Sequence, residues 1–198
     1  VFTGDRSAEF LYKCLYKAKM SNQSTSENKN DGLKLYNSYI TTALKCVPPG
    51  DKPTYLELKT CFNYFKEEID LLKGVFEKAG VKPNFKEIYF GGGSPTFYRE
   101  EEFSALRDKI ADFIDFPGIE SWTVEIDPRR VEVDRLKFYH EMGVNRLSFG
   151  IQDFDPPVQE EINRIQPPEL VSNLLTDEIR DLFPAINFDL LIGLPAQT

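Results

Sequence analysis

Three consecutive glycines, Gly91, Gly92 and Gly93, follow a short apolar run and precede a helical pattern. Residues without a Cβ allow another molecule to approach the backbone closely, although glycine also serves in turns that bind nothing. The run does not fit the G-x-G-x-x-G dinucleotide pattern, and no Gly-Lys-Ser/Thr follows to complete a phosphate loop. Two interpretations stay open: a tight turn, or a loop against which a ligand lies.

Two carboxylates in the segment "TVEIDPRR" are the next candidates for chemistry. Glu125 and Asp127 face the same side of a predicted strand, because side chains in a strand alternate with a period of two. Carboxylates at a strand end can bind an amine or hydroxyl of a ligand, or a metal ion. The alternative is an ion pair with Arg129, Arg130 or Arg146, since structural pairs use the same residue types.

One histidine and three cysteines limit metal and nucleophile chemistry. His140 is the only histidine, which excludes a multi-histidine metal site, and its mid-helix position predicts a surface or partly packed residue. Cys61 lies beside the apolar stripe of a long helical pattern, which predicts a core position. Cys14, Cys46 and Cys61 are too few and too irregularly spaced for a disulfide framework, so they indicate a reducing compartment.

The composition indicates a folded protein and narrows its partners. Of its 198 residues, 41% are hydrophobic and 28% are charged, values typical of globular proteins. The formal net charge of -8 disfavours a protein that neutralises nucleic acid phosphates. No stretch approaches the roughly 20 apolar residues that span a bilayer, and the first ten residues do not resemble a signal peptide. We expect a cytoplasmic protein with neither nucleic acid nor membrane as a partner.

Strand and helix patterns alternate along most of the chain. Residues 1–34 predict an N-terminal helix and a polar linker, and residues 35–198 predict the main domain. Five strands are predicted, "LKLYNSYI", "EIYF", "WTVEI", "NRLSFGI" and "INFDLLIG". The longest helical stripe runs from Leu58 to Ala79 and ends at Gly80. Near-continuous apolar strands alternating with helices predict an α/β fold with a parallel sheet, either doubly wound or curled into a barrel.

The polar residues collect at the carboxyl ends of these predicted strands. The glycines follow the second strand, Glu125 and Asp127 end the third, Gln152 follows the fourth, and Asp189 lies in the fifth. In parallel α/β folds, ligands bind at that edge because the loops that follow the strands converge there. This arrangement favours a ligand-facing loop over a bare turn for the glycine run.

Four motifs in order resemble one family of enzymes: "IYFGGGSPT", "VEIDPR", "MGVNRLSFGIQDFDPPVQEEINRIQ" and "FDLLIGLPAQT". Residues from about 35 to 198 resemble the radical S-adenosylmethionine enzymes of the oxygen-independent coproporphyrinogen III oxidase family. The resemblance implies a partial (β/α) barrel of parallel strands that binds S-adenosylmethionine at the strand carboxyl ends. It also implies an oxidoreductase of porphyrin or heme metabolism with a small-molecule substrate, for which a tetrapyrrole is the candidate.

The same resemblance assigns candidate binding residues. The glycine loop and the third-strand carboxylate match positions beside the amino acid part of S-adenosylmethionine. Three later polar residues match positions that contact a second S-adenosylmethionine or the substrate, and a tyrosine matches one near the first strand. The cofactor-binding candidates are Tyr36, Gly92, Gly93, Ser94, Glu125, Gln152, Arg164 and Asp189.

The resemblance fails at the iron–sulfur motif. The family has a Cys-x-x-x-Cys-x-x-Cys run, whose three thiolates hold a [4Fe-4S] cluster. The matching positions here are Thr42, Cys46 and Pro49, so Cys46 is the one metal-ligand candidate. One thiolate cannot hold such a cluster. The alternatives are a set completed by Cys14 and Cys61, an altered sequence, or a relative that binds S-adenosylmethionine, heme or a tetrapyrrole without radical catalysis.

The fifth predicted strand is the last one in this sequence, whereas the family continues beyond that strand. An uncovered sheet edge invites unwanted pairing with other strands. We therefore expect either a barrel truncated after the fifth strand or a partner that covers the open edge.

Overall fold

The computed structural model describes residues 6–42, 45, 54–91 and 95–197. The chain forms two compact units, which divide between Gly74 and Val75. The division at residue 34 that the sequence suggests stays a prediction. Within the described ranges, no helix combines the length and the apolar character that crossing a bilayer requires.

Two helices dominate the first unit. Helix α1 spans Arg6–Lys17, and helix α2 spans Tyr55–Ala79 and continues past the boundary between the units. The side chains that α2 buries are Cys61, Phe65 and Ile69, spaced by four residues as one face of a helix requires. The predicted long helix is confirmed, and so is the core position of Cys61. Gly80 follows α2 with a φ of +66°, a conformation that suits glycine at a helix end.

The predicted first strand, "LKLYNSYI", is wrong. Leu35 forms only an isolated antiparallel bridge with Ser21, and the backbone N–H of Tyr36 donates to the carbonyl of Met20 at 2.9 Å. Asn37 then takes a φ of +54°, whereas a strand needs φ near −120°. The pairing at Leu35 therefore does not continue through Asn37, and the β-branched and aromatic residues that predicted a strand lie in irregular chain.

The second unit contains a four-stranded parallel sheet in the order β1-β2-β3-β4. The strands are β1 (Glu87–Phe90), β2 (Ser121–Ile126), β3 (Arg146–Gln152) and β4 (Ala185–Leu190). The helices between them are α3 (Glu100–Ala111), α4 (Val133–Glu141), α5 (Pro156–Glu161), α6 (Pro168–Leu174) and α7 (Asp177–Leu182). A doubly wound sheet reverses its strand order at a switch point, whereas this order is sequential. The partial (β/α) barrel is confirmed.

The core of the second unit lies on one face of this sheet. Phe103 of α3 is fully buried, stacks on Trp122 of β2 at 5.9 Å between ring centroids, and lies 4.8 Å from the ring of Tyr139 on α4. The strand residues that share this core face include Trp122, Val124, Ile126, Leu147, Phe149 and Ile151. Apolar residues thus alternate along the strands, which corrects the expectation of near-continuous apolar strands. The opposite face is largely polar.

Candidate functional site

The polar face of the sheet carries a group of four side chains, three of which lie near the strand carboxyl ends. Tyr89, Glu125 and Asp189 are each the next-to-last residue of a strand, on β1, β2 and β4, and Ser148 lies on β3. The register places Glu125 directly beside Ser148, while Tyr89 pairs with Thr123, two residues before Glu125. Because side chains alternate with a period of two, all four project from the same face. We call these four residues the polar cluster.

Two hydroxyl groups in the polar cluster each donate to a carboxylate. The Tyr89 hydroxyl donates to Glu125 Oε1 at 2.8 Å, and the buried Ser148 hydroxyl donates to Asp189 Oδ2 at 2.8 Å. Each bond joins two neighbouring strands, between residues that are not direct register partners. The sheet therefore brings together two predicted binding residues, Glu125 and Asp189, and adds one hydroxyl to each.

The charges of both carboxylates act on Tyr89. Partial burial raises the pKa of the Tyr89 hydroxyl, the hydrogen bond and charge of Glu125 raise it further, and the charge of Asp189 adds to them. The nearby Ser148 hydroxyl opposes this change and lowers the pKa of the Tyr89 hydroxyl. The net direction is upward, so Tyr89 stays protonated at neutral pH and keeps the hydrogen that it donates to Glu125.

Gly91 leaves the space that this arrangement needs. A Cβ at Gly91 would lie 2.5 Å from Glu125 Cδ, 2.5 Å from Glu125 Oε1 and 2.5 Å from Tyr89 Cε1. Carbon atoms in contact are about 3.5–4.0 Å apart, so any side chain here would displace Tyr89 or Glu125. Gly92, Gly93 and Ser94 lie outside the described residues, and their contact with a ligand stays a prediction.

Asp127 belongs to an ion-pair cluster rather than to the polar cluster. Arg129 donates to its carboxylate through Nε at 2.9 Å and Nη2 at 2.8 Å, and Arg130 lies 3.4 Å away. Burial raises the pKa of Asp127, but the hydrogen bonds from Arg129 and the charges of Arg164 and Arg129 lower it more, so the net direction is downward. The ion-pair interpretation of the sequence is therefore the correct one for this carboxylate.

Arg164 and Gln152 meet at Gly150, where β3 leaves its regular register. Arg164 Nη2 donates to the Gly150 carbonyl at 2.8 Å and lies 3.5 Å from Asp127 Oδ1. A Cβ at Gly150 would lie 2.9 Å from Gln152 Nε2 and 3.3 Å from Arg164 Nη2. Gln152 has a φ of +70°, and a register shift lies between it and Gly150. Two more predicted residues are thus adjacent at the strand end.

Tyr89 and Ser148 were not among the residues that the sequence singled out. Both project from the same face of the sheet as Glu125 and Asp189. The alternation of side chains along a strand was therefore the signal that could have identified them. Using that signal requires the register between strands, which one sequence does not provide. Tyr36 is a half-exposed residue of the first unit, and its part in binding stays a prediction.

The sequence also yields predictions for His140 and for the three cysteines, none of which is a member of the polar cluster. His140 is exposed on α4, with its ring edge-on to Phe183 at 5.6 Å, which confirms the predicted surface position. Cys14 is exposed on α1, Cys61 is buried on α2, and Cys46 lies outside the described residues. Within the part of the chain that the structure describes, no group of three or more His, Cys, Asp or Glu side chains is placed to hold a metal ion.

The chain that precedes Cys46 is held by a carboxylate of α2. Glu68 accepts a hydrogen bond from Thr41 at 2.8 Å and also accepts from Tyr39 and Lys45. Burial raises the pKa of Glu68, but hydrogen bonds from Lys45, Tyr39 and Thr41 lower it more, so the net direction is downward. Thr42 matches the first cysteine of the iron–sulfur motif. It thus lies between Thr41 and Lys45, whose side chains are both hydrogen-bonded to Glu68.

Two family models match the chain. Residues 46–198 match the model described as the Radical SAM superfamily. Residues 1–79 match the model described as the Uracil DNA glycosylase superfamily, a range that covers less than half of the chain and overlaps the first match at residues 46–79.

Curated relatives are oxygen-independent coproporphyrinogen III oxidases. The protein from Helicobacter pylori strain J99 is 36% identical over 137 residues, which cover 69% of this chain and 29% of the relative. The Bradyrhizobium diazoefficiens protein is 42% identical over 126 residues, covering 63% of this chain and 28% of the relative. The Escherichia coli K12 protein is 37% identical over 112 residues, covering 57% and 24%. The chain thus spans less than a third of the length of these relatives.

A solved structure shows the same similarity. The structure of coproporphyrinogen III oxidase from Escherichia coli, described in its title as a radical SAM enzyme, superposes with a TM-score of 0.59 at 34% identity. The superposition covers 67% of this chain and 30% of that protein. The similarity of fold and sequence therefore extends over most of this chain and a minor part of each relative.

Proposed function

Because this chain belongs to the radical SAM superfamily, we propose that it forms the S-adenosylmethionine-binding part of an oxidoreductase related to oxygen-independent coproporphyrinogen III oxidase. The observation that carries the proposal is the polar cluster, in which Glu125 and Asp189 each hold a hydroxyl donor at the strand carboxyl ends. The whole enzyme would act in porphyrin or heme metabolism on a tetrapyrrole.

The polar cluster suits a ligand that carries an ammonium group. S-adenosylmethionine has an amino acid part with one ammonium and one carboxylate, beside a positively charged sulfonium. A carboxylate has about four lone-pair sites, so Glu125 can accept from the ligand ammonium while it accepts from Tyr89. In this proposal, Gly92, Gly93 and Ser94 approach the same amino acid part through their backbone. Two negative side chains on this face also favour a cationic ligand over an anionic one.

Arg164, Gln152 and Asp189 are proposed to contact a second S-adenosylmethionine or the substrate. A guanidinium presents five N–H donors in a fixed plane, and Nη2 of Arg164 is held by the Gly150 carbonyl. Arg164 Nε is buried and has no hydrogen-bond partner among the described residues. The Arg164 side chain is 21% exposed, so its other N–H groups can donate to a carboxylate of a bound molecule, and charge-assisted hydrogen bonds of this kind are strong.

The residues at the cluster-ligand positions do not fit a [4Fe-4S] cluster. Radical SAM proteins in general use such a cluster, which three thiolates hold. Thr42 and Pro49 offer no thiolate, and Glu68 already bonds residues on both sides of Thr42. The proposal therefore assigns S-adenosylmethionine binding to this chain and takes no reaction step through a cluster. The names of its relatives favour an enzyme over a binding protein without chemistry.

Isothermal titration calorimetry of the full chain with S-adenosylmethionine tests the proposal. We expect saturable binding, and we expect Glu125→Gln to lower the affinity at least about 10-fold, because a hydrogen bond to a charged group contributes about 1.5–3 kcal/mol. Glu141→Gln is the matched control, since Glu141 is an exposed carboxylate at the end of α4. Wild-type protein that binds no S-adenosylmethionine would refute the proposed function.

The iron content of anaerobically purified protein tests separately whether the chain holds a [4Fe-4S] cluster. We expect far less than four iron atoms per chain, both as purified and after incubation with iron and sulfide. Four iron atoms per chain, together with production of 5′-deoxyadenosine, would show that other ligands complete the set around Cys46. This measurement does not depend on whether Glu125 binds the ligand. The proposals that the chain binds S-adenosylmethionine and that it holds no [4Fe-4S] cluster can therefore fail independently.

A further inference from the structure

Tyr89 occupies an unusual position for a large aromatic residue. It is 60% exposed, at the end of a short strand, while its neighbours Ile88 and Phe90 pack against the core on the other face. Its ring therefore contributes little to the core of the second unit. What its hydroxyl does is hold Glu125 Oε1 at 2.8 Å. Tyr89 thus makes a polar contact through its hydroxyl and buries little apolar surface.

We propose that Tyr89 is a positioning residue, which fixes the Glu125 carboxylate in the orientation that receives the ammonium group of S-adenosylmethionine. This inference rests on the proposed function and deepens it. A glutamate near the end of a strand has three rotatable side-chain bonds, and binding a ligand requires that one conformation be selected. A hydrogen bond that is already present in the protein selects that conformation in advance.

The surroundings of Tyr89 support this role. Gly91 leaves room for both the tyrosine ring and the carboxylate, since a Cβ there would lie 2.5 Å from atoms of each. Tyr89 also interacts with Ser148, whose hydroxyl donates to Asp189 Oδ2. The hydroxyl of Tyr89 therefore donates to one carboxylate of this face, Glu125, and the charges of Glu125 and Asp189 both raise its pKa. A phenylalanine would keep the ring and remove only this donor.

Calorimetry with S-adenosylmethionine on Tyr89→Phe tests the role. We expect the affinity to fall about 5- to 10-fold, because one charge-assisted hydrogen bond that orients the carboxylate is lost. The midpoint of thermal unfolding should stay within about 2 °C of the wild-type value, because the side chain is mostly exposed. Tyr139→Phe is the matched control, since the Tyr139 hydroxyl is buried without a hydrogen-bond partner among the described residues.

A double-mutant cycle separates positioning from a structural effect. In a Glu125→Ala background, Tyr89→Phe should change the affinity less than about 2-fold, because the group that Tyr89 orients is absent. A similar loss in both backgrounds, or wild-type affinity of Tyr89→Phe alone, would overturn the inference. If the wild-type chain does not bind S-adenosylmethionine, the proposed function fails as well. If Glu125→Gln weakens binding but Tyr89→Phe does not, only the positioning role fails.

Discussion

Replacing Gly91 with alanine changes the shape of the polar cluster without removing any of its functional groups. The added Cβ would lie 2.5 Å from Glu125 Cδ and 2.5 Å from Tyr89 Cε1, whereas carbon atoms in contact are about 3.5–4.0 Å apart. Tyr89 and Glu125 must therefore move by about 1 Å. A displacement of this size in a binding site can cost about 100-fold in rate. We expect S-adenosylmethionine affinity to fall about 10- to 100-fold, which is about 1.4–2.8 kcal/mol.

The stability of the protein should change much less than its affinity. The atoms in conflict belong to a partly exposed glutamate and a tyrosine that is 60% exposed, and both side chains can rotate toward solvent. We expect the free energy of unfolding, measured by urea denaturation, to change by less than about 1 kcal/mol. Gly74→Ala is the matched control. A Cβ at Gly74 meets no atom within 4 Å and lies inside α2, so it should stabilise by about 0.5–1 kcal/mol and leave affinity unchanged.

Two results would contradict this reasoning. Wild-type affinity of Gly91→Ala would show that the ligand does not depend on where Tyr89 and Glu125 lie. Equal losses of affinity and stability would show that the glycine serves the turn after β1, the interpretation that the sequence left open.

Three further predictions concern the fold that supports the site. Phe103→Ala removes a fully buried ring stacked on Trp122, so the free energy of unfolding should fall by about 3–5 kcal/mol in chemical denaturation; a loss below about 1 kcal/mol would contradict the described core. Asn145→Ala removes the side-chain oxygen that accepts from the backbone N–H of Trp122 at 2.8 Å and should cost about 1–3 kcal/mol in the same assay, and an unchanged value would show that this bond contributes nothing. The pKa of Asp127 lies below its ordinary value of 3.8, so its ion pairs stabilise fully above that pH and are lost as the pH falls through the lower folded-state value. The stability difference between wild type and Asp127→Asn should therefore shrink as the pH is lowered from 7 to below 3.8, and a pH-independent difference would contradict the ion-pair cluster.

The helices and four of the five strands could be predicted because their signals are local. The apolar stripe of α2 and the glycine at its end are visible within about thirty residues of sequence. Residues 33–40 have the composition of a strand, but their conformation depends on a distant contact with Ser21 and on the positive φ of Asn37. Composition alone contains neither piece of information, so this prediction failed.

The site was predictable in part for a similar reason. Glu125 and Asp189 are acidic residues within apolar strands, and they could be recognised without any structure. Tyr89 and Ser148 have ordinary strand residue types, and only the register shows that they meet those carboxylates. Asp127 is a carboxylate of the same motif as Glu125, but the folded chain places Arg129 against it. A pattern identifies candidate groups, whereas the partners of each group decide its role.

The contact of Glu68 with the segment before Cys46 bears on how this chain folds. In a loop that wraps around a metal, the energy of metal binding is also folding energy, so removing the metal unfolds the loop. Here Tyr39, Thr41 and Lys45 are bonded to a carboxylate of α2 instead. Because these bonds are made by protein side chains, we expect the described part of this segment to keep its structure when a chelator is added.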